Sequence, residues 1–158
     1  MKKFYAIFLA FSITLILSAC GSSKNLFRDQ DPVPADFGKQ QTTVLVLKTE
    51  QNKVNRALES TFKKYYTGPF LLIDEEDLTS GKYSDNQKYR YCFRTHIQFQ
   101  AASGSGSMRT QATHNYTYDI VDRVTATKNG LDFYGGGYKG LMEAYVKKME
   151  AVKAENSK

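Results

Sequence analysis

The chain has 158 residues, 41% of them apolar, and a formal charge of +6. That length suits one domain with its own core, and the apolar and aromatic content excludes a disordered polymer. The charge excess is too small and too dispersed to mark a nucleic-acid surface, although it favours anionic lipid or polymer.

Lys2 and Lys3 open the chain, and Phe4 through Leu17 is an uncharged, mainly apolar run. It is shorter than the roughly 20 residues a spanning helix needs, and small and polar residues follow it, as in a secretory leader. The run ends in Leu17-Ser18-Ala19-Cys20, which resembles the bacterial lipobox. The resemblance implies that a diacylglycerol is attached to the Cys20 thiol and that a signal peptidase cuts between Ala19 and Cys20. In many bacteria the new amine is then acylated too. Each buried methylene of such chains contributes about 0.8 kcal/mol, and one chain alone binds marginally, so two or three acyl chains hold a soluble domain on a bilayer. Loss of Lys2 and Lys3 takes the charge from +6 to +4. With Cys20 lipidated, Cys92 has no partner for an internal disulfide. Residue 21 is Gly rather than Asp, and no acidic run follows. By the family's sorting rules, in a Gram-negative host, this implies an outer-membrane lipoprotein facing the periplasm.

Residues 20–41 are polar, with Pro32 and Pro34, and read as a lipidated tether preceding a domain over 42–158. Phe27, Val33 and Phe37 are the tether residues able to dock. Thr43–Leu47 is a continuous aliphatic and β-branched run, expected as a strand covered on both faces. Val54, Ala57, Leu58, Thr61, Phe62 and Tyr65 form one face of a helix, with Thr49 its expected N-cap, Glu50 in its first turn and Gly68-Pro69 ending it. Phe70–Ile73 is a second buried strand, so the start is a βαβ unit with parallel strands. Asp74–Leu78 is expected as a short helical turn capped by Asp74.

From Tyr89 to Ala101 the odd positions are mainly apolar or aromatic and the even positions mainly polar, the alternation of a strand with one wet face. Ser103–Ser107 is a Gly/Ser turn, and from Met108 to Ile120 the even positions are mostly apolar. An antiparallel hairpin is therefore expected, with Ala101 opposite Met108, Phe93 opposite Tyr116, Tyr91 opposite Tyr118, Tyr89 opposite Ile120 and Arg90 opposite Asp119. Asn129-Gly130 predicts a tight turn between 124–127 and 131–134. Gly135–Gly137 breaks the chain, and a last helix follows over 139–154 with Leu141, Met142, Tyr145, Met149 and Val152 inward. The expected fold is a single two-layer α+β domain: a mixed sheet with a βαβ start, a long antiparallel hairpin and a C-terminal helix packed on one face. This element order resembles the N-terminal α/β modules of envelope proteins such as TolB and the curli-secretion lipoprotein.

No motif names an active site. Cys92 and His96 share a face but lie about 13 Å apart along a strand, beyond hydrogen-bond reach. His114 falls on the opposite face to His96, so the two histidines cannot share a zinc ion. Cys92 is expected inert, His96 exposed and His114 hydrogen-bonded. Asp74, Glu75, Glu76 and Asp77 lack calcium-loop spacing. Gly135–Gly140 lacks the phosphate-loop consensus. No metal or cofactor is expected beyond the lipid on Cys20. Arg90, Arg94, His96 and Arg109 on the wet sheet face are the candidate docking residues, for an acidic protein or glycan of the envelope. Lys139, Lys147, Lys148 and Lys153 read as a solvated helix face near anionic headgroups. The leading functional expectation is a non-enzymatic accessory or binding lipoprotein. The alternatives are a structural subunit of a secretion or surface assembly, and an envelope hydrolase built from dispersed residues.

Overall fold

The computed structural model describes residues 31–105, 109–130 and 138–158. The leader, Cys20, Phe27, Met108, Leu131–Tyr134 and Gly135–Gly137 lie outside the described residues. The elements run β1 (Val44–Leu47), α1 (Asn52–Tyr65), β2 (Phe70–Ile73), α2 (Glu75–Thr79), β3 (Tyr91–Gln100), β4 (Thr113–Asp122), β5 (Thr127–Gly130) and α3 (Tyr138–Asn156). They form one five-stranded mixed sheet in the order β2-β1-β3-β4-β5. This is the expected α+β domain, with a βαβ start, a long hairpin and a C-terminal helix. Among the described residues no helix is long and apolar enough to cross a membrane.

β1 is parallel to both β2 and β3, while β3–β4 and β4–β5 are antiparallel. β1 sits inside the parallel half and is buried on both faces, as its unbroken aliphatic run requires. β2 is the sheet edge and is only half-buried, with Leu71 exposed, so its apolar run does not mark a central strand. Val44, Val46, Tyr91, Phe93, Tyr118 and Ile120 face the helical layer, where Val54, Leu58 and Phe62 of α1 and Met142, Tyr145 and Met149 of α3 close the main core. On the opposite face Leu45, Leu47, Ile73, Tyr83 and Cys92 form a second, smaller cluster, with Leu78 of α2 packed against it. The wet face is therefore covered at its parallel end.

Several expectations change. The hairpin pairs Phe93 with Ile120 rather than Tyr116, a shift of 120 − 116 = 4 residues. An even shift keeps every side chain on its expected face, so alternation cannot sense it. The ladder runs to Gln100 opposite Thr113, with one further bridge between Ser103 and Thr110. Asn129-Gly130 is not a turn but the end of β5, paired with Ile120 and Asp119. The turn is Arg123–Ala126, built by the Asp122 carboxylate accepting the N–H groups of Val124 (2.9 Å) and Thr125 (3.4 Å) and closed by Ala126 at φ +57°. The residue capping α1 is Gln51, not Thr49, and its side chain makes no cap bond. Asp74 holds the N-cap of α2 without a capping bond and instead takes the Lys48 ammonium at 2.9 Å.

The segment read as tether is packed from Pro32 onward. Val33 and Phe37 are buried in the main core, and the Phe37 ring packs at a tilt against Tyr91, centroids 4.8 Å apart. Asn156 at the end of α3 donates to the carbonyls of Ala35 (2.8 Å) and Phe37 (2.9 Å), and the Tyr145 hydroxyl donates to the carbonyl of Pro32. Gly38 permits this close approach. Its φ is +88°, and a Cβ there would lie 2.7 Å from the Lys153 Cα. Gly38→Ala is expected to destabilise the domain by about 3 kcal/mol, adding left-handed strain to overpacking, with proteolysis beginning before residue 42. Equilibrium denaturation and limited proteolysis check both outcomes.

Candidate functional site

The alternation of β3 puts Arg94 and His96 two residues apart on the side away from the helices. Asp119 of β4 lies directly opposite Arg94 in the ladder. On β5, Gly130 faces Asp119, and Lys128 sits two pairs further along, opposite Val121. Two strands, β3 and β5, thus aim cationic or imidazole side chains at one carboxylate on the strand between them. Arg94 Nε donates to Asp119 Oδ1 at 2.7 Å and Nη2 to Oδ2 at 3.2 Å. His96 Nε2 is 2.5 Å from Oδ2, and Lys128 Nζ is 3.2 Å from it. The Asp119 side chain is 2% exposed, whereas Arg94, His96 and Lys128 are 34%, 41% and 58% exposed. Gly130 makes room, because a Cβ there would stand 2.8 Å from the Asp119 Cβ.

Burial by itself raises the Asp119 carboxyl. The hydrogen bonds from Arg94 and His96 outweigh it and hold the group below its ordinary value. An ionised carboxylate only accepts, so His96 Nε2 carries a hydrogen and Nδ1 is the remaining ring nitrogen. Arg94 and Lys128 against Asp119 leave one positive charge in excess, and a protonated His96 makes it two. The exposed rim of the cluster is cationic and held in place from beneath.

The candidate docking residues separate. Arg94 and His96 belong to this cluster. Arg90 does not: it lies just before β3, and its guanidinium turns to the end of the sheet. There it binds Asp122 (Nη2–Oδ2 2.6 Å, Nε–Oδ1 3.1 Å) and Asp36 (2.5 Å), with only 14% of its side chain exposed. Burial pushes the Asp122 carboxyl up, but Arg90 and the backbone N–H groups of the following turn bring it to about 2. Arg109 is exposed near the far end of the hairpin, 119 − 109 = 10 positions from Asp119 and outside the cluster. Lys128 and Gly130 were missed as site residues because the Asn129-Gly130 signal placed them around a turn.

Cys92 is buried in the second cluster, and burial pushes its thiol up to about 11 against the lowering influence of Arg94 and Arg123. It is not brought together with His96. His114 is exposed and packs on the Phe99 ring at 5.3 Å rather than into a buried hydrogen bond. Among the described residues no group of three or more His, Cys, Asp or Glu side chains could hold a metal ion. Lys153 is not a solvated residue: it binds Glu150 at 2.9 Å and Thr67. Lys147 stands over the Tyr65 ring at 4.4 Å.

No family model matches the chain, and no curated protein matches it. Among solved structures the chain is similar to the PelC dodecamer of Paraburkholderia phytofirmans, at 12% identity and a TM-score of 0.39. The match covers 78% of this chain and 94% of the other. A point variant of the same dodecamer matches over the same shares at 11% identity and a TM-score of 0.39. Similarity at this level says nothing about function.

The carboxylates set the acid limit of the fold. A carboxyl whose folded pKa is depressed stabilises the native state above its unfolded value, near 4, and loses that contribution as pH falls through the folded value. Stability is expected to decline between about pH 4 and pH 2, with Asp122 supplying about 2 kcal/mol of the loss. Urea denaturation of the wild type and of Asp122→Asn across this range checks it. The variant starts less stable and shows a shallower slope.

Proposed function

We propose that the chain is a lipid-anchored envelope lipoprotein, tethered through Cys20, whose cationic sheet face docks an acidic protein or glycan without performing chemistry of its own. The observation that supports the docking reading is the Asp119 hub. Arg94, His96 and Lys128 present their exposed ends in an arrangement fixed by one buried carboxylate, so an incoming anionic group meets charges whose rotamers are already ordered. Arg90 is excluded from the surface because both its neighbours are carboxylates that need it. The lipobox of residues 17–20 supports the anchor, and in a Gram-negative host the outer membrane is the expected site.

Gentle solubilisation of native membranes, followed by affinity recovery of the protein, is the first experiment. Lys128→Glu combined with His96→Gln leaves Arg94 on Asp119 and is expected to reduce partner recovery at least tenfold. Undiminished recovery would show that the partner uses another surface. Stoichiometric partners that survive in fixed ratio with both side chains replaced would favour a structural subunit of an assembly instead.

The anchor has its own readout. Denatured protein from the native host is expected to show one titratable thiol, Cys92, because Cys20 is a thioether. Two thiols would remove the lipid from the proposal. In the folded protein Cys92 is expected to resist maleimide at pH 7, since its thiol is buried and its pKa stands near 11.

One observation favours the hydrolase alternative: His96 sits beside a carboxylate, the orienting contact that a general base uses. Turnover of ester, phosphoester or glycoside substrates that disappears in His96→Gln would establish that reading.

A further inference from the structure

The helical layer carries a second set of cations, and these make no ion pair among the described residues. α1 and α3 run in the same direction. Their N-terminal residues Asn52 and Tyr138 line one groove, while Tyr65 near the far end of α1 reaches Glu143 (3.2 Å), and Thr67 beyond it reaches Glu150 (2.7 Å). Parallel helices add their dipoles, so both positive ends open on the same groove. Neither helix has an acidic residue in its first turn, and the N-cap side chain of α1 makes no capping bond, its Oε1 accepting instead from the Tyr116 hydroxyl at 3.3 Å. Helix ends of this kind are ordinarily relieved by Asp or Glu; here the sequence supplies Lys53, Arg56 and Lys139.

Lys53 and Arg56 are three residues apart and share one face of α1, and Lys139 approaches from the first turn of α3. All three are exposed, line a groove of about 490 Å³ together with Asn52, and make no ion pair among the described residues. Several other basic residues of these helices are engaged where they stand, Lys64 and Lys147 over the Tyr65 ring at 4.8 and 4.4 Å. Lys63 is neutralised by Glu59 at 2.7 Å, and Lys153 by Glu150 at 2.9 Å. Three like charges around one concavity repel each other, and two helix dipoles add to the repulsion. A monovalent carboxylate would leave two of the charges uncompensated, whereas a dianionic or more highly charged group matches the set.

We propose that this groove is a binding site for a multiply charged phosphoryl group, of the phosphomonoester or pyrophosphate kind, held by Lys53, Arg56 and Lys139 at the paired helix N-termini. The site lies on the helical side of the sheet, opposite the Asp119 hub, and stands or falls separately from it. The chemistry is common to a soluble phosphorylated molecule and to a lipid headgroup, and both sources lie within reach of a membrane-tethered domain.

Calorimetric titration of the full chain in non-ionic detergent at low salt provides the test, with pyrophosphate in one arm. Micelles doped with phosphatidic acid form the other arm, with phosphatidylcholine-doped micelles as the reference. Saturable pyrophosphate binding that weakens at least tenfold in Lys53→Gln/Arg56→Gln/Lys139→Gln, about 1.4 kcal/mol, and falls with rising salt supports a soluble phosphoryl ligand. Binding of the phosphatidic-acid micelles alone, lost in the same variant, supports a headgroup. Lys63→Gln, outside the groove, is expected to change neither. The substituted positions are exposed, and an unchanged circular dichroism spectrum excludes misfolding. Absence of saturable binding in both arms, or equal binding by the triple variant, overturns the proposal.

Discussion

Two carboxylates on β4, Asp119 and Asp122, set most of the arrangement of this domain. Each is almost wholly buried, and a buried carboxylate without donors costs several kcal/mol. Asp119 finds Arg94, His96 and Lys128; Asp122 finds Arg90 and the N–H groups of its own turn. Only one register of the hairpin serves both. With Phe93 opposite Tyr116, Asp119 would meet Arg90, but Asp122 would meet Gln87 and Arg94 would meet Asn115. In the observed register Arg94 meets Asp119 directly, and Arg90 reaches Asp122 from just outside the strand. The apolar pairs tolerate either arrangement, because a four-residue shift leaves each side chain on its face. Charge pairing therefore decides what hydrophobicity leaves open.

The same pair of carboxylates couples distant segments. Arg90 bridges Asp122 to Asp36, and the Tyr91 hydroxyl donates to Asp36 at 3.2 Å, so the Pro32–Phe37 segment is fastened to the end of the sheet. Tyr145 joins that segment to β5 by donating to the carbonyls of both Pro32 and Asn129. Tyrosines recur at these places for a physical reason. The ring fills core volume while the hydroxyl satisfies a peptide group at the core's edge. Tyr118 does the same for the start of α3, donating to the Tyr138 carbonyl at 2.8 Å.

How far the sequence was legible follows from which forces have a periodic signature. The helix face of α1, the buried run of β1 and the alternation of β3 repeat at fixed intervals, and those elements lie where the pattern puts them. Register, turn position and edge status have no such signature. Asn129-Gly130 carries a strong turn signal, yet an Asp-led turn at Arg123–Ala126 begins one residue after β4, and Gly130 is used instead for its missing Cβ beside Asp119. Phe70–Ile73 is as apolar as Val44–Leu47, and only the strand order makes one an edge and the other central. Of the four candidate docking residues, Arg94 and His96 are in the cluster, Arg90 is consumed by structure, and Arg109 is elsewhere. The chemistry of arginine gives no hint of which role it takes until its neighbours in space are known.

Charge on this domain is accordingly of two kinds. On the sheet, every cation near the carboxylates is coordinated, and its exposed edge is a by-product of an interaction the fold requires. Removing Asp119 there would disturb structure before it disturbed recognition. On the helical layer Lys53, Arg56 and Lys139 make no ion pair among the described residues: they line one groove at two helix N-termini and raise its electrostatic energy. Exchanging any one of them for a neutral side chain should therefore leave the domain as stable or make it slightly more so. A cation that stabilises nothing where it stands is unfavourable until an anion arrives. The two surfaces can be separated experimentally on that ground, because substitutions at one lower stability and substitutions at the other do not.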